Sequence, residues 1–214
     1  MRIASALVIA FPLIGFSAGC AMSLHPLSDD RTSVSDKQLL GVWEEVEKNE
    51  GKDNDEQKPD RFRIDSKPNS KVAMLVTDLD SKDKMPPLTL LATILGERRY
   101  LSLGGHNEEK NRLEWLIAEY KITDQDSLQM RLFDPKRVRK EVEAGTIKGH
   151  VEERKEIDSD GKAQAKESAT VLIEDSTDNL RKFLDRHPDQ LFTPEWVRFK
   201  RLAPGGSTKS TGGR

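Results

Sequence analysis

The sequence predicts a mainly β protein in which an antiparallel meander forms a barrel or a strongly curved sheet, with two short helices in the C-terminal half. Three observations support this fold class. Short runs of aliphatic and aromatic residues recur along the chain, polar turns separate them, and only two stretches have helical spacing. Because most connections are too short for a crossover helix, neighbouring strands should be antiparallel. Closure into a barrel would remove exposed strand edges.

The N-terminus is typical of an export signal. Arg2 is followed by an apolar stretch, residues 3–16, and the next charge is Asp29. This stretch is shorter than the ~20 residues of a membrane-spanning helix, and Pro12 and Gly15 interrupt it. We therefore expect a signal peptide over residues 1–19 that is cleaved.

Small residues at positions 17–19 stand directly before Cys20. This segment resembles a bacterial lipoprotein signal. The resemblance implies cleavage between Gly19 and Cys20, a diacylglycerol on the Cys20 thiol, and acylation of the new amine, for example by palmitate. Ala21 and Met22 follow the cysteine, whereas an Asp directly after it would favour the inner membrane. The resemblance therefore implies a protein of the outer membrane that faces the periplasm.

Two alternatives to lipidation stay open: an ordinary cleaved signal or uncleaved helix, and an unprocessed soluble protein. Residues 20–36 are polar and predict a flexible, lipidated tether. Residues 37–203 would form the β domain. The Gly- and Ser-rich residues 204–214 predict a disordered tail.

The strands of this domain follow from alternating or continuous apolar runs bounded by turn residues. They are predicted to begin near Leu40, Phe62, Val72, Leu88, Tyr100, Leu113, Ser127, Thr146, Ala169 and Thr193.

Capping residues define the first predicted helix, over residues 135–144. Asp134 can accept hydrogen bonds from the free amides of the first turn, and Pro135 fits the first helical position. Val138 and Val142 share one face, and Gly145 ends the helix.

The second predicted helix follows the strand that begins near Ala169. Ser176 or Thr177 caps it, and its apolar residues have i, i+3, i+4 spacing. We expect this face, made by Leu180, Phe183 and Leu184, to pack on the sheet.

Gly41 and Trp43 stand two residues apart on the first predicted strand. This opening resembles the Gly-x-Trp start of lipocalins and of lipocalin-like bacterial lipoproteins. The helix at 135–144 departs from the lipocalin pattern of one long meander followed by one helix. The layout also resembles small, uncharacterised lipoproteins, which implies a fold and a location but no activity.

A barrel of about eight strands is either filled by side chains or holds one small ligand. The sequence leaves both alternatives open. Four apolar side chains on separate predicted strands are candidates to line an interior pocket: Trp43, Met74, Trp115 and Met130.

Charge and motif content argue against several classes of function. With 35 Lys plus Arg against 37 Asp plus Glu, the chain lacks the positive field that binds nucleic acid. The single cysteine excludes an intramolecular disulfide and a Cys-rich metal cluster. The four histidines, His25, His106, His150 and His187, lack metal-ligand spacing. We therefore predict no metal, no cofactor and no catalytic residue.

Three hypotheses for function remain. The first is a membrane-anchored envelope lipoprotein whose non-catalytic β domain binds or interacts with an envelope protein partner. The second is a carrier of a lipid or another apolar small molecule inside the barrel. The third is an envelope hydrolase, which would need His150 or His106 to meet a serine and a carboxylate.

Overall fold

A computed structural model describes residues 20–46, 59–80, 86–124, 126–153, 156–157, 163–164 and 169–203. The predicted signal peptide, residues 1–19, ends at Gly19 and lies outside the described residues, as does the predicted tail, residues 204–214.

Strands dominate the described chain. In chain order they are β1 (Ala21–Ser23), β2 (Gly41–Glu45), β3 (Arg61–Ser66), β4 (Met74–Asp78), β5 (Leu88–Leu95), β6 (Arg98–Asn107), β7 (Arg112–Asp124), β8 (Ser127–Leu132), β9 (Gly149–Glu153), β10 (Glu156–Ile157), β11 (Ala163–Gln164), β12 (Ala169–Ile173) and β13 (Val197–Leu202). The helices are a 3-10 turn (Lys37–Leu39), α1 (Pro135–Glu143) and α2 (Thr177–Arg186).

Eight antiparallel strands close into a barrel, in the order β2-β3-β4-β5-β6-β7-β8-β13 and back to β2. Strands β2 to β8 form the predicted meander, each paired with the next along the chain. Strand β13 comes last, after both helices, and inserts between β8 and β2. The predicted fold class, a lipocalin-like barrel with two minor helices, is therefore confirmed.

Apolar side chains fill the interior of the barrel. Trp43, Leu90 and Leu128 have no exposed surface, and the rings of Phe62 and Phe199 meet edge to face, with centroids 5.1 Å apart. This packing is typical of a small barrel whose lumen is occupied by its own side chains.

The 3-10 turn packs Leu39 into the barrel cluster and is held by Trp43 and Arg201. The Trp43 indole Nε1 donates to the carbonyl of Leu39 over 2.8 Å. The Arg201 guanidinium lies 4.3 Å from the Trp43 ring centroid and donates to the carbonyls of Gln38 and Leu40. One cation thus joins the last strand, the first barrel strand and the turn.

Asp36 fixes the same turn from its other side. Its carboxylate accepts from the Gln38 amide at 3.0 Å, from the Tyr120 hydroxyl at 2.8 Å and from Arg99 at 3.1 Å. Burial and the neighbouring Asp36 raise the pKa of Tyr120, so its hydroxyl stays a donor over the physiological range.

A second apolar cluster covers the outer face of β5, β6 and β7. Helices α1 and α2 and the segment that follows α2 supply its other side, through Val138, Leu180, Leu184 and Phe192. Burial on both faces explains why β7 is buried continuously over seven residues, a pattern without alternation.

Three strands extend the sheet beyond the barrel. β1 pairs with β7 at Ser23↔Trp115 and runs parallel to β12, and β9 pairs with the other edge of β12. The prediction of a flexible tether over residues 20–36 is therefore wrong.

Small polar side chains hold this N-terminal segment against the barrel wall. The Ser28 hydroxyl lies 2.7 Å from those of both Ser33 and Thr93, and the Leu27 amide donates to Ser102 at 3.0 Å. The hydroxyls satisfy one another in a buried site, so a polar segment that looks like a tether can pack.

We predict that Gly41→Ala destabilises the barrel. Gly41 has φ +134°, a conformation close to Gly-only, and an added Cβ would lie 2.7 Å from Arg201 Nη1. Urea unfolding should show a loss of about 1–3 kcal/mol or more. The control is Gly96→Ala, where φ is +58° and no atom lies within 4 Å of the added Cβ. Equal losses in the two variants would contradict the combined cost assigned to the φ of Gly41 and to its contact with Arg201.

Candidate functional site

Cys20 lies where the described chain begins, and its side chain is exposed. Its carbonyl accepts a hydrogen bond from the Val171 amide over 2.8 Å, and its Sγ lies 3.5 Å from the Thr170 hydroxyl. Because Ala21 is only 3% exposed, the chain enters the packed sheet one residue after the cysteine.

Side chains alternate between the two faces of β1. Ala21 packs into the outer cluster beside the helices, whereas Met22 packs into the barrel cluster together with Leu172. Cys20 shares the Met22 face by this alternation. The cysteine therefore lies at the start of the extension, on the face that continues the barrel interior.

A polar network lies on the same face, one strand beyond β12. Glu152 is in register with Thr170. Its carboxylate forms ion pairs with Lys110 and with Arg112, whose Nη2 lies 2.9 Å from Glu152 Oε1. The His150 Nε2 lies 3.3 Å from the same oxygen. The network ties β9 to the hairpin between β6 and β7.

Arg112 continues the network toward the barrel. It donates to Glu114 at 2.7 Å, and Asn107 donates to the other oxygen of that carboxylate at 3.1 Å. Glu114 is 5% exposed, so its charge is buried and paired, as a buried carboxylate requires.

The pKa of Glu152 is lowered to about 2. Partial burial acts to raise it, but hydrogen bonds from Lys110 and Arg112 outweigh that effect, and His150 adds to them. Glu152 therefore stays ionised, and its charge is balanced by two cations.

The candidate pocket residues divide between two cores. Trp43, Met74 and Met130 lie in the barrel interior, where they fill space together with their neighbours. Trp115 lies in the outer cluster, so the prediction that it lines the interior is wrong. Its ring occupies the space above Gly104, where an added Cβ would approach to 2.6 Å.

Sequence reasoning also missed an ionic cluster on the outer wall. Arg131 donates to the buried Glu119 at 2.7 Å. Arg98 holds Asp189 through two bonds of 2.9 Å each. Hydrogen bonds from Arg98 and Arg131 hold the pKa of Asp189 far below its usual range. The cluster fastens the segment after α2 to the barrel.

The four histidines lie in separate places, and all are exposed. His187 ends α2, with its ring 5.1 Å from that of Phe183. His150 contacts two carboxylates, Glu152 and Glu174, and within the described ranges no serine joins them. Among the described residues, no group of three or more His, Cys, Asp or Glu side chains could hold a metal ion.

Comparison of the chain with protein-family models, curated proteins and solved structures finds no match. Among the described helices, none has the length and apolar character to cross a membrane.

We predict that Glu152→Gln makes the free energy of unfolding depend less on pH under acidic conditions. A carboxylate whose pKa falls from 4.5 to about 2 on folding stabilises the protein above pH 4.5. That stabilisation is lost as the pH falls toward 2. Urea unfolding followed by tryptophan fluorescence should therefore show a shallower slope for the variant across this range.

The control for Glu152→Gln is Glu143→Gln, which removes an exposed helix pair with Arg139. Exposed pairs of this kind contribute little, so the slope should match the parent. If the unfolding free energies of the parent and of the Glu152 variant fall with equal slopes as the pH is lowered, the lowered pKa assigned to Glu152 is contradicted.

Proposed function

We propose that the protein is a lipid-anchored lipoprotein of the bacterial cell envelope, held in the outer membrane and facing the periplasm. Its lipocalin-like domain acts as a non-catalytic module that binds an envelope protein partner. The observation that carries this proposal is the placement of Cys20. A signal-like segment ends directly before Cys20, and the Cys20 side chain is exposed at the point where the folded domain begins.

Exposure of Cys20 suits lipidation, because the thiol must reach a lipid donor at the membrane surface. Acyl chains would extend from the domain without displacing packed side chains. Each buried methylene contributes about 0.8 kcal/mol, so two or three chains give durable attachment where one is marginal.

The packing of the barrel favours surface binding over carriage of an apolar molecule. Trp43, Met74 and Met130, which could have lined a pocket, are 0%, 3% and 6% exposed. Side chains that already occupy the lumen would have to move before a ligand entered, at a cost in lost packing.

Cys20→Ala should abolish the incorporation of fatty acid into the protein, because it removes the thiol that would carry the diacylglycerol. Metabolic labelling of cells with radioactive palmitate, followed by immunoprecipitation, measures this. The matched control is Thr170→Ala, which deletes the contact to Cys20 Sγ but keeps the thiol and should still incorporate the label. No incorporation by the parent, or equal incorporation by the Cys20 variant, would contradict the proposal.

The purified protein should show no bound molecule in its lumen. Native mass spectrometry is expected to give the mass of the processed, acylated chain alone. A stoichiometric noncovalent adduct would favour the carrier function instead.

Leu128→Ala, at a fully buried interior position, should cost about 2–5 kcal/mol of unfolding free energy through loss of packing. A variant as stable as the parent in urea unfolding would contradict a lumen filled by side chains.

A further inference from the structure

The N-terminal segment leaves no slack between Cys20 and the folded domain. The Cys20 carbonyl is bonded to β12, Ala21 is buried, and Ser23 pairs with β7. Further along, Leu27 and Ser28 have no exposed surface. A flexible tether of ~15 residues would instead span about 20 Å by random-coil scaling.

A diacylglycerol on Cys20 would place this residue at the level of the lipid headgroups, because the acyl chains enter the hydrocarbon. The surface beside Cys20 must then come to the same level. That surface is the start of β12, where Thr170 contacts Cys20 Sγ and Ala169 precedes it in a half-exposed position. We call Cys20, Ala169 and Thr170 the anchor patch.

We propose that the anchor patch lies directly on the lipid headgroups, so that the membrane holds the domain in one orientation. This inference rests on the proposed lipid anchor. It adds that the anchor patch is a membrane-contact surface and that the opposite wall of the barrel faces away from the bilayer.

Charge near the patch is compatible with a lipid surface. Among the side chains that the structure describes beside the patch, Glu152, in register with Thr170, is one that an anionic bilayer would repel. Lys110 and Arg112 both pair with it, so its negative charge is balanced within the protein.

The ring of barrel strands identifies a distant reference position. β1 adds to β7, and β3 lies four strands from β7 in either direction around the barrel. Arg63, on β3, is exposed. A probe there reports the wall opposite the anchor patch.

The test measures quenching of one fluorophore by headgroup-labelled lipids. Ala169→Cys and Arg63→Cys variants of the full, processed protein carry the label. Because the chain has one cysteine, whose thiol lipidation consumes, the introduced cysteine is the reactive one. The vesicles contain phosphatidylethanolamine, phosphatidylglycerol and a lipid with a nitroxide on its headgroup. Thr170→Cys is the second reporter if Ala169→Cys folds poorly.

We expect quenching several times stronger at position 169 than at position 63. Insertion of about twelve Gly and Ser residues between Cys20 and Ala21 should lower the quenching at 169 to the level at 63, because such a linker spans about 20 Å. Equal quenching at both positions in the parent, or no effect of the linker, would overturn the inference.

Mass analysis of the N-terminal peptide from the same sample separates the two proposals. An acylated Cys20 with equal quenching at the two positions contradicts the membrane-contact surface alone. A peptide without acyl chains contradicts the anchor and, with it, this inference.

Discussion

The pairing of β13 with β2 joins the last strand of the chain to the first strand of the barrel and closes the ring. It brings Arg201 over the Trp43 ring at 4.3 Å and onto the carbonyls of Gln38 and Leu40, and so closes the wall of the barrel and holds the 3-10 turn against it. Without it, β2 and β8 would be open edges. The interior cluster, which includes Leu39 and Phe199, would then be exposed along that seam.

The closed barrel also provides the outer surface on which the helices and the N-terminal segment pack. The outer faces of β5, β6 and β7 are apolar enough to bind α1, α2 and the N-terminal segment. β7 pairs with β1 at Trp115, and this pairing positions Cys20 directly before β1, the first strand of the extension. The position of a membrane anchor at Cys20 would thus follow from the packing of β7, which is buried on both of its faces. A protein partner would then contact the domain from the side away from the bilayer.

The sequence predicted the barrel strands and both helices because their signals are local. Apolar runs bounded by turn residues defined the strands, and Asp134 and Ser176 do cap the helices. The errors arose where the signal is not local. Nothing in a strand that is apolar on both faces indicates that Trp115 points outward. In the sequence, Ser28 and Ser33 resemble tether residues, because the Thr93 hydroxyl that contacts Ser28 in the fold lies far away along the chain. The network around Glu152 likewise depends on side chains that β9 and the distant β6–β7 hairpin bring together.

We propose that Cys20 carries the membrane anchor of a domain that packs from Ala21 onward. The decisive experiment is mass spectrometry of the N-terminal peptide from protein extracted from bacterial membranes. We expect a peptide that begins at Cys20 and whose mass is increased by a diacylglycerol, with or without a further acyl chain on the amine. An unmodified Cys20, within a longer peptide or at a free N-terminus, would contradict the claim.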